Sequence, residues 1–213
     1  MIEDTPHVLF VGERIAARSL IAERVFSAKT HGAALARSAV VAGEGPHPLS
    51  LQVLREISID ADDHRPDAID DLSMFTFDLV VTFGPLGRER VAVKPVVPAG
   101  NGSPPEDPAA TIVGLLAPLH MHWDIADPTA GSLARGTVGQ FREIRDQIAT
   151  RIDSLIRDGM LEALRERRKR SAQRIDRSSL GLVAMDAEAR FFLFNSEAER
   201  LTGLSRADVI GHS

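Results

Sequence analysis

The stretch VLFVGERIAARSLIAERVF, from Val8 to Phe26, constrains the fold of this chain more than any other. Val8-Leu9-Phe10-Val11 is an unbroken apolar run with the length and composition of a buried strand. Gly12 to Ala17 reads as a tight loop, and Arg18-Ser19 opens an amphipathic helix. Such a strand-loop-helix turn aims the backbone N–H groups of the loop and the helix N-terminus at one spot, which makes an anion site. Arg18 adds a bidentate fork suited to a tetrahedral oxyanion. The candidate anion-binding residues are therefore Gly12, Glu13, Arg14, Ile15, Ala16, Ala17, Arg18 and Ser19. A carboxylate pointing inward at Glu13 would repel the ligand, and Arg14 is expected to pair with it. Covalent chemistry at such a loop needs a thiolate at the strand end, its pKa lowered by the same positive field. Position 12 is Gly, and the chain contains no Cys.

Strand-like runs at Val8 to Val11, Ala33 to Val41 and Phe77 to Thr82 alternate with helix-like segments at Ser19 to Ala28, Leu49 to Ile57 and Gln140 to Ile156. His120-Met121-His122-Trp123 supplies a short final strand. This alternation predicts an α/β fold, a parallel sheet with helices on both faces. Val97 to Pro108 is a Pro/Gly loop without periodicity. From Phe141, the apolar positions Ile144, Ile148, Ile152, Leu155, Ile156, Met160, Leu161 and Leu164 recur at three- and four-residue steps. They predict one amphipathic helix that overruns the domain, with Gly159 as its weak point. A helix of that kind can pair with its own copy, so a homodimer through residues 141–176 is expected. Its basic end, Arg165 to Arg170, reads as a solvated face rather than a nucleic-acid patch.

Composition narrows the function classes. A chain of 213 residues, 44% hydrophobic, can bury one core of about 150 residues and something smaller. A net charge of -5 gives no general case for nucleic-acid binding. No apolar run approaches the roughly 20 residues that span a bilayer, and MIEDTPH lacks a signal-peptide pattern, so no membrane partner is expected and a cytoplasmic location is. Without Cys there are no disulfides or thiolate metal sites. His120 and His122 form a His-x-His pair without further ligands and read as structural, so neither a metal nor a cofactor is expected. Ser19 follows the Arg, has no adjacent base, and reads as a hydroxyl bracing the loop.

The strand, the five-residue loop, Arg18-Ser19 and the helix together resemble the Cys-x5-Arg-Ser/Thr loop of low-molecular-weight protein tyrosine phosphatases and thioredoxin-coupled arsenate reductases. Gly12 stands where that family has its nucleophile. Ala36-Arg37-Ser38-Ala39 with Gly43, His47-Pro48 with Leu49 to Ile57, Asp78-Leu79-Val80-Val81-Thr82, His122-Trp123-Asp124 with Asp127-Pro128, and Phe141 to Ile148 resemble later family elements in order. The resemblance covers residues 7 to 157 and implies a three-layer, doubly wound, four-stranded parallel sheet. It places Asp127 at the family's general-acid position, although capping a turn before Pro128 is the simpler role. Thr82-Phe83-Gly84 offers none of the resolving thiols that the reductases need. A pseudoenzyme is expected, with no catalytic residue, and a residual phosphatase or reductase and a dimerisation scaffold stand as alternatives.

Beyond Ser178 the pattern changes. Leu180 to Asp186 and Phe191 to Asn195 read as two strands around an Ala187-to-Arg190 turn. Ser196 to Thr202 is a short helix capped by Asn195 or Ser196 and stopped by Gly203. With Ser205 to Gly211, this resembles the first third of a PAS sensory domain, so Leu182, Val183, Phe192 and Phe194 are expected to expose apolar surface unless another chain or the first domain covers it. The expected organisation is a phosphatase-like domain over 1–157, a helical linker over 158–177 and a partial α+β PAS segment over 178–213. The expected function is a non-catalytic regulatory module of a signal-transduction protein, binding an oxyanion and coupled by the helix to PAS and a downstream signalling partner.

Overall fold

The apolar run that follows Pro6 becomes the central strand of a parallel sheet. A computed structural model describes residues 5–41, 43–72, 76–91, 119–130, 136–185 and 189–212. The chain divides into two compact units, Met1–Leu164 and Arg165–Ser213. In the first unit, β1 (His7–Gly12) runs to a two-residue β2 (Ile15–Ala16), helix α1 (Arg18–Thr30), β3 (Leu35–Val40) and β4 (Glu44–Pro46). Helix α2 (Pro48–Arg55), β5 (Asp67–Ala68), β6 (Leu79–Phe83), α3 (Gly84–Val91) and β7 (His120–Trp123) follow. The main sheet has the order β5-β3-β1-β6-β7 and is parallel throughout, while β2 and β4 pair separately. Five strands stand where four were expected. The extra one, Asp67–Ala68, pairs with Ala39–Val40 and is too short to carry an alternating signal.

Residues Val8 to Val11 are fully buried, as a strand covered on both faces requires. Val8 and Phe10 join a core with α1, α2 and α4 (Val138–Arg157), whereas Leu9 and Val11 pack with Ala39, Ile69, Leu72, Phe77 and Val80 on the other face. Phe10 meets Phe26 at 5.6 Å and Trp123 at 6.0 Å between ring centroids. Each such pair adds about 0.5–1.5 kcal/mol beyond area burial.

The expected single helix over 141–176 is two helices. Thr137 and Gln140 form a reciprocal capping box that starts α4, and Gly159 at φ +74° separates it from α5 (Met160–Asp176). A left-handed residue cannot continue a right-handed ladder, so the break falls at the one glycine in the stretch. Phe141, Ile144, Ile148, Ile152, Leu155, Leu161 and Leu164 are all in the first unit's core. The stripe expected to meet a second copy is thus covered within the chain.

In the second unit, β8 (Val183–Met185) and β9 (Phe191–Phe194) pair antiparallel and lead to α6 (Ser196–Thr202) and α7 (Arg206–Val209). Asn195 caps α6 and Gly203 ends it at φ +72°, as the sequence predicts. Phe194, Ala198 and Val209 form a small core with Phe191 against it. Val183 and Phe192 are exposed as expected, but Phe194 is only 4% exposed because it enters that core. The Val97–Pro108 loop and residues 186–188 of the β8–β9 turn lie outside the described residues. Among the described residues, no helix is long and apolar enough to cross a membrane.

Candidate functional site

The carboxyl ends of β1, β6 and β7 deliver the loop after Gly12, the N-terminus of α3 and the Asp124–Asp127 segment to one place. The chain passes from β1 to β3 on one side and returns from β5 to β6 on the other, and in doubly wound sheets such a switch point forms the ligand crevice.

Arg18 occupies the centre. It is the first residue of α1 and only 5% exposed. Its Nη1 donates to the Ile125 carbonyl at 2.7 Å, and its Nη2 donates to Asp127 Oδ2 at 2.8 Å and to Glu13 Oε2 at 3.4 Å. The guanidinium carbon lies 6.0 Å from the Phe83 ring centroid. Glu13 Oε1 accepts the Leu86 N–H at 2.8 Å and so caps the N-terminus of α3. Gly84, at φ +72°, makes room for that carboxylate: a Cβ there would stand 2.3 Å from Glu13 Cδ. Glu13 therefore points inward, and its partner is Arg18. Arg14, expected to neutralise it, is exposed and makes no ion pair among the described residues. Asp127 caps the turn before Thr129, its Oδ1 accepting the Thr129 N–H at 2.8 Å and hydroxyl at 2.7 Å, while Oδ2 faces Arg18.

The loop backbone is less open than the sequence suggests. Ile15 and Ala16 pair with β4, the Ala17 N–H donates to Ile15 O at 2.8 Å, and the His47 N–H donates to Ala16 O at 3.3 Å. Gly43 abuts the loop so closely that a Cβ would lie 1.5 Å from the Arg14 carbonyl oxygen. His47 caps α2, its Nδ1 accepting the Leu49 N–H at 3.2 Å, and stacks on Phe141 at 4.7 Å. Burial lowers its pKa, partly opposed by the Asp127 carboxylate. Ser19 is fully buried, yet its Oγ has no hydrogen-bond partner among the described residues. The bracing role expected of it is not what the structure shows. That hydroxyl faces the space above Gly12, where a Cβ would stand 2.8 Å from it. One cation faces two carboxylates here, so a further anion is favoured only if one carboxylate withdraws.

Two other polar clusters hold no active arrangement. Ser38 Oγ donates to Glu23 Oε2 at 2.5 Å, and His64 Nε2 lies 2.6 Å from the same oxygen and 3.3 Å from Ser38 Oγ. A proton relay needs one imidazole nitrogen on the hydroxyl and the other on the carboxylate. Here one nitrogen contacts both, and Ser38 is 1% exposed, so the cluster serves to satisfy a buried Glu23. Thr82 Oγ1 sits 2.9 Å from His120 Nε2 and 3.0 Å from His122 Nδ1. The two histidines thus engage a buried hydroxyl. No group of three metal-ligating side chains occurs among the described residues.

Sequence reasoning missed three partners of the site: the Leu86 N–H, the Ile125 carbonyl and Gly84. Backbone donors and acceptors carry no residue signature. The one readable signal was Gly84, placed directly after a strand.

The family profile described as low molecular weight phosphotyrosine protein phosphatase matches residues 7–97. No curated protein matches the sequence. Among solved structures, an arsenate reductase in a phosphate-binding state is 21% identical at a TM-score of 0.53, over 72% of this chain and 98% of that one. A low molecular weight protein tyrosine phosphatase from T. tengcongensis is 20% identical at 0.53, over 72% and 99%. A YwlE mutant from Bacillus subtilis is 17% identical at 0.54, over 72% and 98%. At these identities the likeness is one of fold, and with the parallel sheet and the loop after β1 it makes the first unit a low-molecular-weight phosphatase-like and arsenate reductase-like α/β domain.

Proposed function

We propose that the first unit is a non-catalytic regulatory module on a phosphatase-like scaffold, whose anion loop is closed by the chain's own carboxylate and opens to an external oxyanion by exchange. The observation that carries this reading is the Arg18 guanidinium, held between Asp127 at 2.8 Å and Glu13 at 3.4 Å. Covalent phosphoryl transfer has no nucleophile here, because Gly12 has no side chain and the sequence no Cys. What remains is an Arg at a helix N-terminus, a buried hydroxyl without a partner among the described residues and a competing carboxylate. Glu13 makes the longer of the two contacts and is the group that yields. Its departure also uncaps α3, so occupancy of the loop is coupled to that helix through one side chain. The sequence of the second unit, which resembles the start of a PAS domain, supports reading the module as part of a signal-transduction protein.

The test is thermal unfolding of the chain against phosphate, arsenate, sulfate and vanadate, in wild type, Glu13→Gln and Arg18→Ala. An anion at about 100 times its Kd adds roughly 2.7 kcal/mol, a shift of several degrees. Glu13→Gln is expected to shift at lower anion concentration than wild type, and Arg18→Ala not at all. If no anion shifts either wild type or Glu13→Gln, the oxyanion reading is lost. Aryl phosphate hydrolysis that survives purification and disappears in Asp127→Asn would overturn the non-catalytic one.

A further inference from the structure

Seven of the chain's 25 lysines and arginines fall between Arg165 and Arg177, against two carboxylates, Glu166 and Asp176, in a protein whose net charge is -5. The sequence alone suggests a solvated face, but the structure adds a segregation. Within α5 and the turn that follows it, Arg167, Arg170, Arg174 and Arg177 recur at steps of three, four and three residues. At 100° per residue they lie within about 80° of arc, and at a 1.5 Å rise they extend over about 15 Å. All four are exposed, and none makes an ion pair among the described residues. Both carboxylates of the segment are engaged elsewhere. Glu166 lies 3.9 Å from Lys169, and Asp176 accepts from Ser196 and Arg206 in the body of the second unit. Asn195 Nδ2 donates to the Ile175 carbonyl at 2.9 Å. The contacts of Asp176 and of the Ile175 carbonyl fasten the end of the helix to the second unit and leave the four arginines exposed.

We propose that this arginine stripe binds the phosphodiester backbone of duplex nucleic acid without reading its sequence. Successive arginines are offset by about 4.5–6 Å along the helix axis, and guanidinium is the side chain best fitted to phosphate oxygens. The stripe carries no aromatic side chain on which unpaired bases could stack, which favours duplex over single strand. Between Arg165 and Arg177 the only large apolar residue is Ile175, so the helix has no face to insert into a bilayer. A second copy would present the same positive stripe, so self-pairing along it is repulsive.

The test is fluorescence anisotropy of the full chain with a labelled mixed-sequence duplex, across a salt series. Competitors are poly-glutamate and phosphatidylcholine vesicles containing phosphatidylserine. Four phosphate contacts give a slope of about -3.6 in log K against log salt, so affinity falls roughly 100-fold between about 50 and 200 mM. Each single Arg→Gln change in the stripe should make the slope shallower by about 0.9. Arg167→Gln with Arg170→Gln, Arg174→Gln and Arg177→Gln should abolish binding while leaving thermal unfolding unchanged. The same four positions changed to Lys should retain the slope. The proposal is overturned if the duplex is not bound at low salt, if the Gln variant binds like wild type, or if vesicles or poly-glutamate outcompete the duplex at equal charge.

Discussion

Asn195→Ala should unfold the second unit while leaving the first folded. Asn195 is 1% exposed and uses its whole amide. Its Oδ1 accepts from Leu182 N at 2.7 Å and from Ala198 N at 3.1 Å, and its Nδ2 donates to the Ile175 and Leu180 carbonyls, both at 2.9 Å. One side chain thus ties the end of α5, the strand entering β8 and the N-terminus of α6. Losing an Asn cap costs about 1 kcal/mol, and each further hydrogen bond about 1 kcal/mol net, so truncation costs roughly 3–4 kcal/mol. A unit below about 70 residues seldom holds more than 3–5 kcal/mol of stability, so little should remain. Amide hydrogen exchange followed by mass spectrometry gives the readout. Peptides spanning β8, β9 and α6 should lose protection, and those spanning β1 and β6 should keep it. Asn195→Asp sharpens the test, because it keeps the acceptor but sets a charged oxygen against two carbonyls. That carboxyl should favour its protonated form, so this variant gains stability as pH falls. Unchanged protection in the Ala variant, or loss of both units together, would refute the assignment of Asn195 as the clasp of an independent unit.

Arg18→Ala strips two carboxylates of their cation in a mostly buried setting and should cost about 3–5 kcal/mol, read as a fall of roughly 6–20 °C in the Tm; a fall under about 2 °C would mean the network adds little. Gly43→Ala should prevent folding of the first unit, because its Cβ would lie 1.5 Å from a backbone oxygen. Gly32→Ala, with positive φ but nothing within 4 Å, should cost about 1 kcal/mol, and equal effects of the two would contradict the close approach at Gly43. His47 has a folded-state pKa below its ordinary value because of burial, so the unfolded chain binds the proton more readily. Its contribution is complete above the unfolded value of about 6.5 and is lost as pH falls through the lower folded value. Unfolding measured between pH 8 and 5 should show less decline in His47→Asn, which keeps a capping acceptor; an unchanged decline would remove His47 from the account.

The parts of the fold that were legible in the sequence are those whose signal is local. Val8 to Val11 is apolar at every position because both faces are covered, and Asn195 with Gly203 marks the ends of α6 by capping chemistry alone. Gly159 was visible as a weak point, but whether it bends or ends a helix depends on its φ, which is set by packing on either side. β2, β4 and β5 are two or three residues long and exist only because a neighbouring strand supplies the hydrogen bonds. In the candidate site, Arg18 and Asp127 were readable by type and place. The direction of Glu13 was not, since it depends on Gly84 and the Leu86 N–H across 73 residues of sequence.

Gly12 and Glu13 belong to one physical problem. The N-terminus of α1 and Arg18 create a positive field, and a thiolate at position 12 would have balanced it from within the loop. With no group at 12, Glu13 supplies the balancing charge from the neighbouring residue. The two solutions should therefore compete. In Gly12→Cys the new Cβ meets only the end of the Ser19 side chain at close range, 2.8 Å from an Oγ that has no other partner among the described residues. The hydroxyl can rotate to donate to the sulfur. While Glu13 remains, the field is already neutralised, and the thiol introduced by Gly12→Cys should titrate near the ordinary value of about 8.5. When Gly12→Cys is combined with Glu13→Gln, the thiol should fall below about 7.5, as thiols beside a helix N-terminus and an Arg do. Alkylation rate against pH measures both. Identical profiles with and without Glu13 would show that its carboxylate does not hold the field of the loop, and the exchange mechanism would go with it.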